Sequence, residues 1–133
     1  MHFTKDPSDK EILRFVEGWI DDLARGDYAG AFRRTEHDPY YGWTPDLMRS
    51  VVEGYGLPEP HPGGEVFAVT PRKSATGGPP QRIVDRDAVR KKALAEVLYD
   101  LPLNGEWSDL TATFRVERQG KGSVVILQEI HVL

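Results

Sequence analysis

The chain has 133 residues, a net charge of −4 at neutral pH and no cysteine. This length suits one domain with a single apolar core, and the missing cysteines exclude disulfides and thiolate metal sites. No stretch is apolar for long enough to span a membrane, and the first ten residues carry no secretory signal. We therefore expect one domain over residues 1–133, in the cytoplasm, with residues 1–7 as a loose lead-in.

Basic residues concentrate between Arg72 and Lys92, where seven of them accompany two acidic residues. A basic patch of this kind is one signature of a nucleic-acid-binding surface. The segment has no aromatic residue on which bases could stack, and the acidic remainder of the chain should repel a phosphate backbone. The sequence therefore favours a solvated basic loop and helix face, and we expect neither nucleic acid nor a membrane among the partners.

A capping box opens the first predicted helix. Ser8 supplies the N-cap side chain, and Glu11 supplies its partner three residues later. Apolar residues then recur at helical spacing until about Arg25, and Gly26 is the residue type that commonly ends a helix. One face of this helix is expected in the core, and it consists of Ile12, Val16, Trp19, Ile20 and Leu23.

Two shorter helices are predicted next. Asp27 is placed to cap a helix that runs to about Arg34. Thr44 stands before a proline in the first helical position, and this pair predicts a third helix through about Tyr55. Residues 35–43, between these two helices, are expected to be irregular and aromatic.

The middle of the chain carries shorter signals. Residues 65–70 contain apolar β-formers and predict a strand, and residues 82–84 predict another short one. Asp85 is placed to cap one or two helical turns over residues 86–93. The prolines and glycines between these segments indicate loops.

A β-hairpin is the strongest strand signal of the chain. Asn104 and Gly105 suit a type I′ turn, because both central positions of that turn need positive φ. Leu103 then pairs with Glu106, and most apolar residues of the two strands fall on one face. The same register predicts four more facing pairs, which are Leu101 with Ser108, Tyr99 with Leu110, Val97 with Ala112 and Ala95 with Phe114.

This register also places Asp100 opposite Asp109, and like charges in facing positions destabilise a sheet. Pro102 cannot donate to the ladder, so pairing could fail near the turn and relieve the repulsion. A basic neighbour such as Arg115, or one from residues 72–92, could instead form a salt bridge with the two carboxylates. We favour the salt bridge over a metal ion, and we expect no metal and no cofactor.

A third long strand is predicted for residues 123–133, after a glycine-rich turn. Strict alternation divides it into two faces. One face carries Val124, Ile126, Ile130 and Val132, and the other carries Val125, Leu127, Glu129, His131 and Leu133. The order of elements predicts an α+β fold, with the N-terminal helices packed on a curved, mostly antiparallel sheet.

Two segments resemble the nuclear-transport-factor-2-like superfamily, whose members have a cystatin-like α+β cone. They are ARGDYAGAF at residues 24–32, which joins the first two helices, and TPDLMRSVVEGYG at residues 44–56, which forms the third. The resemblance implies a cavity between the concave face of the sheet and the helices, and a homodimer through the sheet. The superfamily that the chain resembles includes isomerases, dehydratases, cyclases and epoxide hydrolases as well as binding proteins, so the fold does not decide the function.

Glu129 and His131 are the first candidate site, because they lie two apart on one strand face with Asp100 expected on a neighbouring strand. A carboxylate beside a histidine in a pocket can perform general acid–base chemistry. The alternative is that both side chains lie on a half-exposed face near the chain end.

The aromatic loop at residues 36–43 is the second candidate site. Its tyrosines and tryptophan can cover the mouth of a cavity and contact a small amphipathic ligand, or they can simply close the open end of the sheet. The predicted pocket residues of the whole chain are Trp19, Tyr40, Tyr41, Trp43, Tyr99 and Asp109.

Two functions remain open from the sequence. The first is a non-catalytic domain that binds a small apolar or amphipathic ligand, or a protein partner. The second is an enzyme of the isomerase, dehydratase or hydrolase type that uses Glu129 and His131. The two differ in whether these side chains point into a closed cavity or toward solvent.

Overall fold

The structure is a computed structural model that describes residues 3–4, 6–87 and 93–132. The helices α1 (Asp9–Ala24), α2 (Tyr28–Arg34) and α3 (Pro45–Glu53) precede most of the sheet. The strands are β1 (Glu36–His37), β2 (Arg82–Asp85), β3 (Ala93–Leu103), β4 (Glu106–Gln119) and β5 (Gly122–Val132). Their order in the sheet is β1-β5-β4-β3-β2, and only the β1–β5 pair is parallel. The predicted α+β class is confirmed: the helices pack on a curved, unclosed and mostly antiparallel sheet.

The helix ends form as the sequence predicts. The Ser8 and Glu11 side chains each accept a hydrogen bond from the other's backbone N–H, which completes the capping box. Asp27 accepts from the Gly30 backbone, and Thr44 accepts from the Leu47 backbone. The third helix ends at Glu53, two residues earlier than predicted, and Tyr55 follows it with a φ of +56°.

The core lies between the helices and one face of the sheet. Trp19 of α1, Tyr99 of β3 and Phe114 of β4 are all fully buried. The Trp19 and Phe114 rings meet edge to face, with their centroids 5.0 Å apart. Large side chains therefore fill the space in which the resemblance implies a cavity.

The β3–β4 hairpin keeps its predicted turn but not its predicted register. Asn104 and Gly105 have φ values of +50° and +86°, as a type I′ turn requires. The pairing of Leu103 with Glu106 is confirmed, whereas Tyr99 pairs with Ala112 instead of Leu110. The shift is two residues, so every side chain keeps its predicted face.

A bulge near the hairpin turn causes this shift. Leu101 lies opposite three residues of β4, and the Ser108 hydroxyl donates to its carbonyl at 2.7 Å. The Leu110 N–H in turn donates to the Ser108 hydroxyl at 3.2 Å. Pro102 has no N–H to continue the ladder, so a side chain takes over the hydrogen bonding that the backbone cannot complete.

The predicted opposition of Asp100 and Asp109 is therefore wrong. Asp100 faces Thr111, and its carboxylate accepts hydrogen bonds from the Thr111 hydroxyl at 2.8 Å and from the Gln81 N–H at 2.7 Å. Asp109 accepts from the Tyr55 hydroxyl. The predicted salt bridge of these carboxylates with Arg115 is also wrong, because the Arg115 guanidinium pairs with Asp38 and Glu117 instead.

A second bulge, at Gln128, overturns the strict alternation predicted for the last strand. Phe114 pairs with Leu127, but Thr113 pairs with Glu129, so Gln128 is an extra residue. The phase of the strand changes there, and Ile130 returns to the core side already occupied by Val125 and Leu127. Glu129 and His131 consequently lie on the other face of the strand from Ile130.

Two other segments differ from the sequence predictions. Residues 65–70 form no regular strand. An isolated bridge joins Val69 to Leu103, and the Ala68 N–H donates to the Asn104 side chain in the turn of the hairpin. The two-residue strand β1 replaces part of the predicted irregular segment and pairs with β5. The helical turns predicted for residues 86–93 fall mostly on residues 88–92, which lie outside the described residues. Leu133, the last residue of the third predicted strand, also lies outside them.

Two basic residues of this segment, Arg72 and Arg86, pair with the acidic face of α1. Arg72 donates two hydrogen bonds to Asp21, at 2.9 and 3.0 Å, and Arg86 donates to Asp9 at 2.9 Å. These contacts raise the pKa of Arg72, chiefly through its hydrogen bonds to Asp21. The charges of Arg72 and Arg86 are thus compensated within the fold.

The Tyr99 hydroxyl reaches the same acidic face of α1, and we expect it to make the stability of the fold sensitive to alkaline pH. Its hydroxyl donates to Glu17 at 2.7 Å, and burial, followed by this hydrogen bond, raises its pKa from 10 to about 12. Because the pKa of Tyr99 is higher in the folded state than in the unfolded state, the fold is stabilised below pH 10. This stabilisation disappears as the pH rises toward 12. The loss amounts to about 2 kcal/mol.

We expect Tyr99→Phe to flatten the decline in the free energy of unfolding between pH 10 and 12. Urea denaturation followed by far-ultraviolet circular dichroism measures this decline. Tyr40→Phe is the matched control, since the Tyr40 side chain is 85% exposed. An unchanged slope in the Tyr99 variant would contradict the assignment.

Candidate functional site

The candidate site lies at the edge of the sheet, where β1 ends and β5 continues. β1 pairs with β5 only at Ile126 and Leu127, and the Asp38 N–H extends this contact with one bond to the Leu127 carbonyl at 2.9 Å. The chain then turns away, and the Trp43 indole N–H donates to the Gln128 carbonyl at 2.8 Å. The bulge residue thus provides the acceptor that fixes the aromatic segment against β5.

Tyr41, Glu129 and His131 form the polar centre of the site. The Tyr41 hydroxyl donates to Glu129 Oε1 at 2.6 Å, and the other carboxylate oxygen lies against His131 Nδ1. Nδ1 is shielded from solvent but out of line for a normal hydrogen bond. The hydrogen bond to Glu129 is the main reason that the pKa of Tyr41 rises to about 12.

An apolar recess of about 380 Å³ opens on one side of this centre. Trp43 and Ile130 form part of its wall, and Leu47 and Val51 of α3 form another part. Glu129 and His131 also line it, so the polar centre stands at its rim.

A more polar groove of about 270 Å³ lies on the other side, along the outer face of the sheet. Asp38, Glu96 and Thr113 line it together with Glu129 and His131. Arg115 lies nearby, but its guanidinium contacts Asp38 at 3.7 Å and also pairs with Glu117. The groove therefore carries more carboxylates than its basic neighbour can compensate.

Chemically, the centre provides a carboxylate, a phenol donor and an imidazole at one point. Glu129 and His131 are both partly exposed, at 39% and 30% of their side chains, so solvent and small molecules reach them. A carboxylate next to Nδ1 favours the tautomer in which Nδ1 carries the proton and Nε2 is free to accept. The arrangement can bind a ligand or move a proton.

The structure brings some of the predicted residues together and separates others. Tyr41, Trp43, Glu129 and His131 meet at the site. The remaining candidates lie elsewhere: Trp19 and Tyr99 in the core, Tyr40 on the surface, Asp100 bonded to Thr111, and Asp109 bonded to Tyr55.

Several site residues were not identified from the sequence. Leu47 and Val51 are apolar residues of α3, and Asp38, Glu96 and Thr113 carry no local motif. The available signal was the helical spacing of Leu47 and Val51, which places both on one face of α3.

Within the part of the chain that the structure describes, no helix is both long and apolar enough to cross a membrane. The same residues contain no group of three or more acidic, histidine or cysteine side chains arranged to hold a metal ion. In comparisons with known proteins, neither a family model, a curated protein nor a solved structure matches this chain.

Proposed function

We propose that this protein binds a small amphipathic molecule, with the apolar part of the ligand in the recess beside α3 and its polar part at Glu129 and His131. The observation that carries the proposal is the position of Tyr41, Glu129 and His131 at the rim of an apolar recess of about 380 Å³. Binding pockets commonly combine mostly apolar walls with a few converging polar groups.

The core is filled by large side chains, which supports a site at the sheet edge rather than between the sheet and the helices. Trp19, Tyr99 and Phe114 fill the space between sheet and helices. A ligand in that space would have to displace several fully buried side chains, whereas the edge recess is already open. Membership of the nuclear-transport-factor-2-like superfamily, the cytoplasmic location and a homodimer through the sheet remain predictions of the sequence.

Acid–base catalysis at the same place is the second candidate function. The contact between Glu129 and His131 Nδ1 favours it, because a carboxylate there orients the imidazole and supports a proton at Nδ1. A substrate in the recess would then meet Nε2 as the base. His131→Gln should abolish turnover of such a substrate while preserving much of its binding.

Binding of Nile red, a neutral apolar dye, tests the proposed recess. We expect its fluorescence to rise with the protein, and we expect Leu47→Glu to weaken its binding at least tenfold, because a charge in the recess resists desolvation. Leu47 is the third residue of α3, and its N–H bonds to the Thr44 side chain. A glutamate there completes a capping box and supports the helix, so lost binding would not reflect a lost fold.

Ile83→Glu is the matched control, since Ile83 is exposed on β2 at the opposite edge of the sheet. Dye binding should survive this change. Equal binding by both variants, or no binding by the parent chain, would overturn the proposal. Far-ultraviolet circular dichroism of each variant establishes that the helices are intact.

A further inference from the structure

We infer that the ligand is an organic cation, in which a protonated amine or similar head group at Glu129 is joined to an apolar group in the recess. The inference rests on the proposed function and assigns its ligand class. Charge complementarity, hydrogen-bond capacity and the aromatic wall each support it.

The first support is the sign of the charge around the head-group position. The groove is lined by Asp38, Glu96 and Glu129, and none of its described lining residues is a lysine or an arginine. Among the described residues, Arg115 lies nearby, and Asp38 and Glu117 share its guanidinium. A ligand carboxylate or phosphate placed here would meet like charges, whereas a cation would restore the balance.

The second support is the unused capacity of Glu129 to accept hydrogen bonds. An ionised carboxylate offers about four acceptor positions over its two oxygens. Tyr41 donates to Oε1, and His131 Nδ1 lies against Oε2, so positions remain for an N–H donor that approaches from the groove. Glu129 is 39% exposed, so an ammonium group can reach it without opening the fold.

The third support is the aromatic wall on which the head group would rest. The Tyr41 and Trp43 ring centroids lie 6.1 Å apart, with 30° between the ring planes, and both residues line the recess. Aromatic faces attract cations, with tryptophan the strongest of them, so the wall suits the junction between an ammonium group and its apolar substituent. Glu129 borders both the groove and the recess, which places the charged and apolar ends of one ligand side by side.

Three probes with the same phenyl tail test the inference on the full chain: 2-phenylethylammonium, 2-phenylethanol and 3-phenylpropanoate. The Trp43 indole N–H signal in ¹⁵N-correlated NMR reports binding, because this group donates to the Gln128 carbonyl beside the site. A Trp43→Phe sample assigns the signal. We expect the ammonium probe to bind on the order of tenfold more tightly than the alcohol, and the carboxylate to bind most weakly.

Glu129→Gln keeps the size of the side chain and removes its charge. It should bring the affinities of the ammonium and alcohol probes together while the alcohol affinity stays within about twofold. Glu106→Gln is the matched control, since it removes the same charge at the exposed tip of the β3–β4 hairpin, and the preference for the cation should persist there.

The outcomes separate the two proposals. If all three probes bind equally, or the carboxylate binds best, the cation assignment is overturned and the recess remains a binding site. If none of them shifts the Trp43 signal and Nile red also fails to bind, the proposed function itself is overturned. A preference for the ammonium probe that survives in Glu129→Gln would move the cation site away from this carboxylate.

Discussion

Replacing Trp19 by alanine should lower the free energy of unfolding by about 3–5 kcal/mol, the largest single effect that we expect in this chain. Trp19 is fully buried against Phe114, at the centre of the contact between α1 and the sheet. Its removal leaves a void that the long strands cannot close, because their register is fixed on both sides. Urea denaturation followed by far-ultraviolet circular dichroism measures the loss.

Trp19→Phe distinguishes the role of the ring from the role of its polar atom. The indole N–H is buried without a hydrogen-bond partner among the described residues. Removing an unsatisfied donor recovers part of the free energy that the smaller ring forfeits, so this variant should lose less than about 2 kcal/mol. A loss as large as that of the alanine variant would show that the N–H is satisfied in solution.

Asp22→Ala should lower the free energy of unfolding by about 2–3 kcal/mol, the second largest effect. The Asp22 carboxylate is 4% exposed, and it pairs with Arg34 of α2 and with Arg25 beyond the end of α1. Removing one partner of a buried ion pair leaves the other charge poorly solvated. Arg34 is 31% exposed and recovers some hydration, so the loss should stay below that of a fully buried pair.

The double variant Asp22→Leu, Arg34→Met tests whether attraction or desolvation dominates this pair. Apolar side chains of similar size often replace a buried ion pair at little cost, so the double variant should lie within about 1 kcal/mol of the parent. Arg25→Ala is the control, since Arg25 is 62% exposed and should contribute under about 1 kcal/mol. Strictly additive losses in the double variant would contradict this account.

Local signals predicted the parts of the fold that short-range physics determines. The capping residues Ser8, Asp27 and Thr44 and the turn at Asn104–Gly105 act within a few residues of themselves, and all form as expected. The two bulges depend on tertiary context. The first needs the Ser108 hydroxyl to replace a backbone partner, and the second needs Trp43, 85 residues away, to satisfy the Gln128 carbonyl.

The candidate site, like the fold, could be predicted only in part from the sequence. Glu129 and His131 were expected together because residues two apart on a strand share a face. The partners Tyr41 and Trp43 reach them only because β1 pairs with β5 and aims the following segment along the sheet edge. β1 has only two residues, too few for any periodic pattern, so the strand that assembles the site left no signal in the sequence.

The bulge at Gln128 changes which residues of the last strand face the core. Before it, alternate residues support the core; after it, the phase is offset, so Ile130 continues the packing while positions 129 and 131 project outward. Core packing and the proposed ligand contacts therefore fall on separate side chains of one short segment. Substitutions at positions 129 and 131 can change the proposed contacts while the packing of Ile130 in the core is kept.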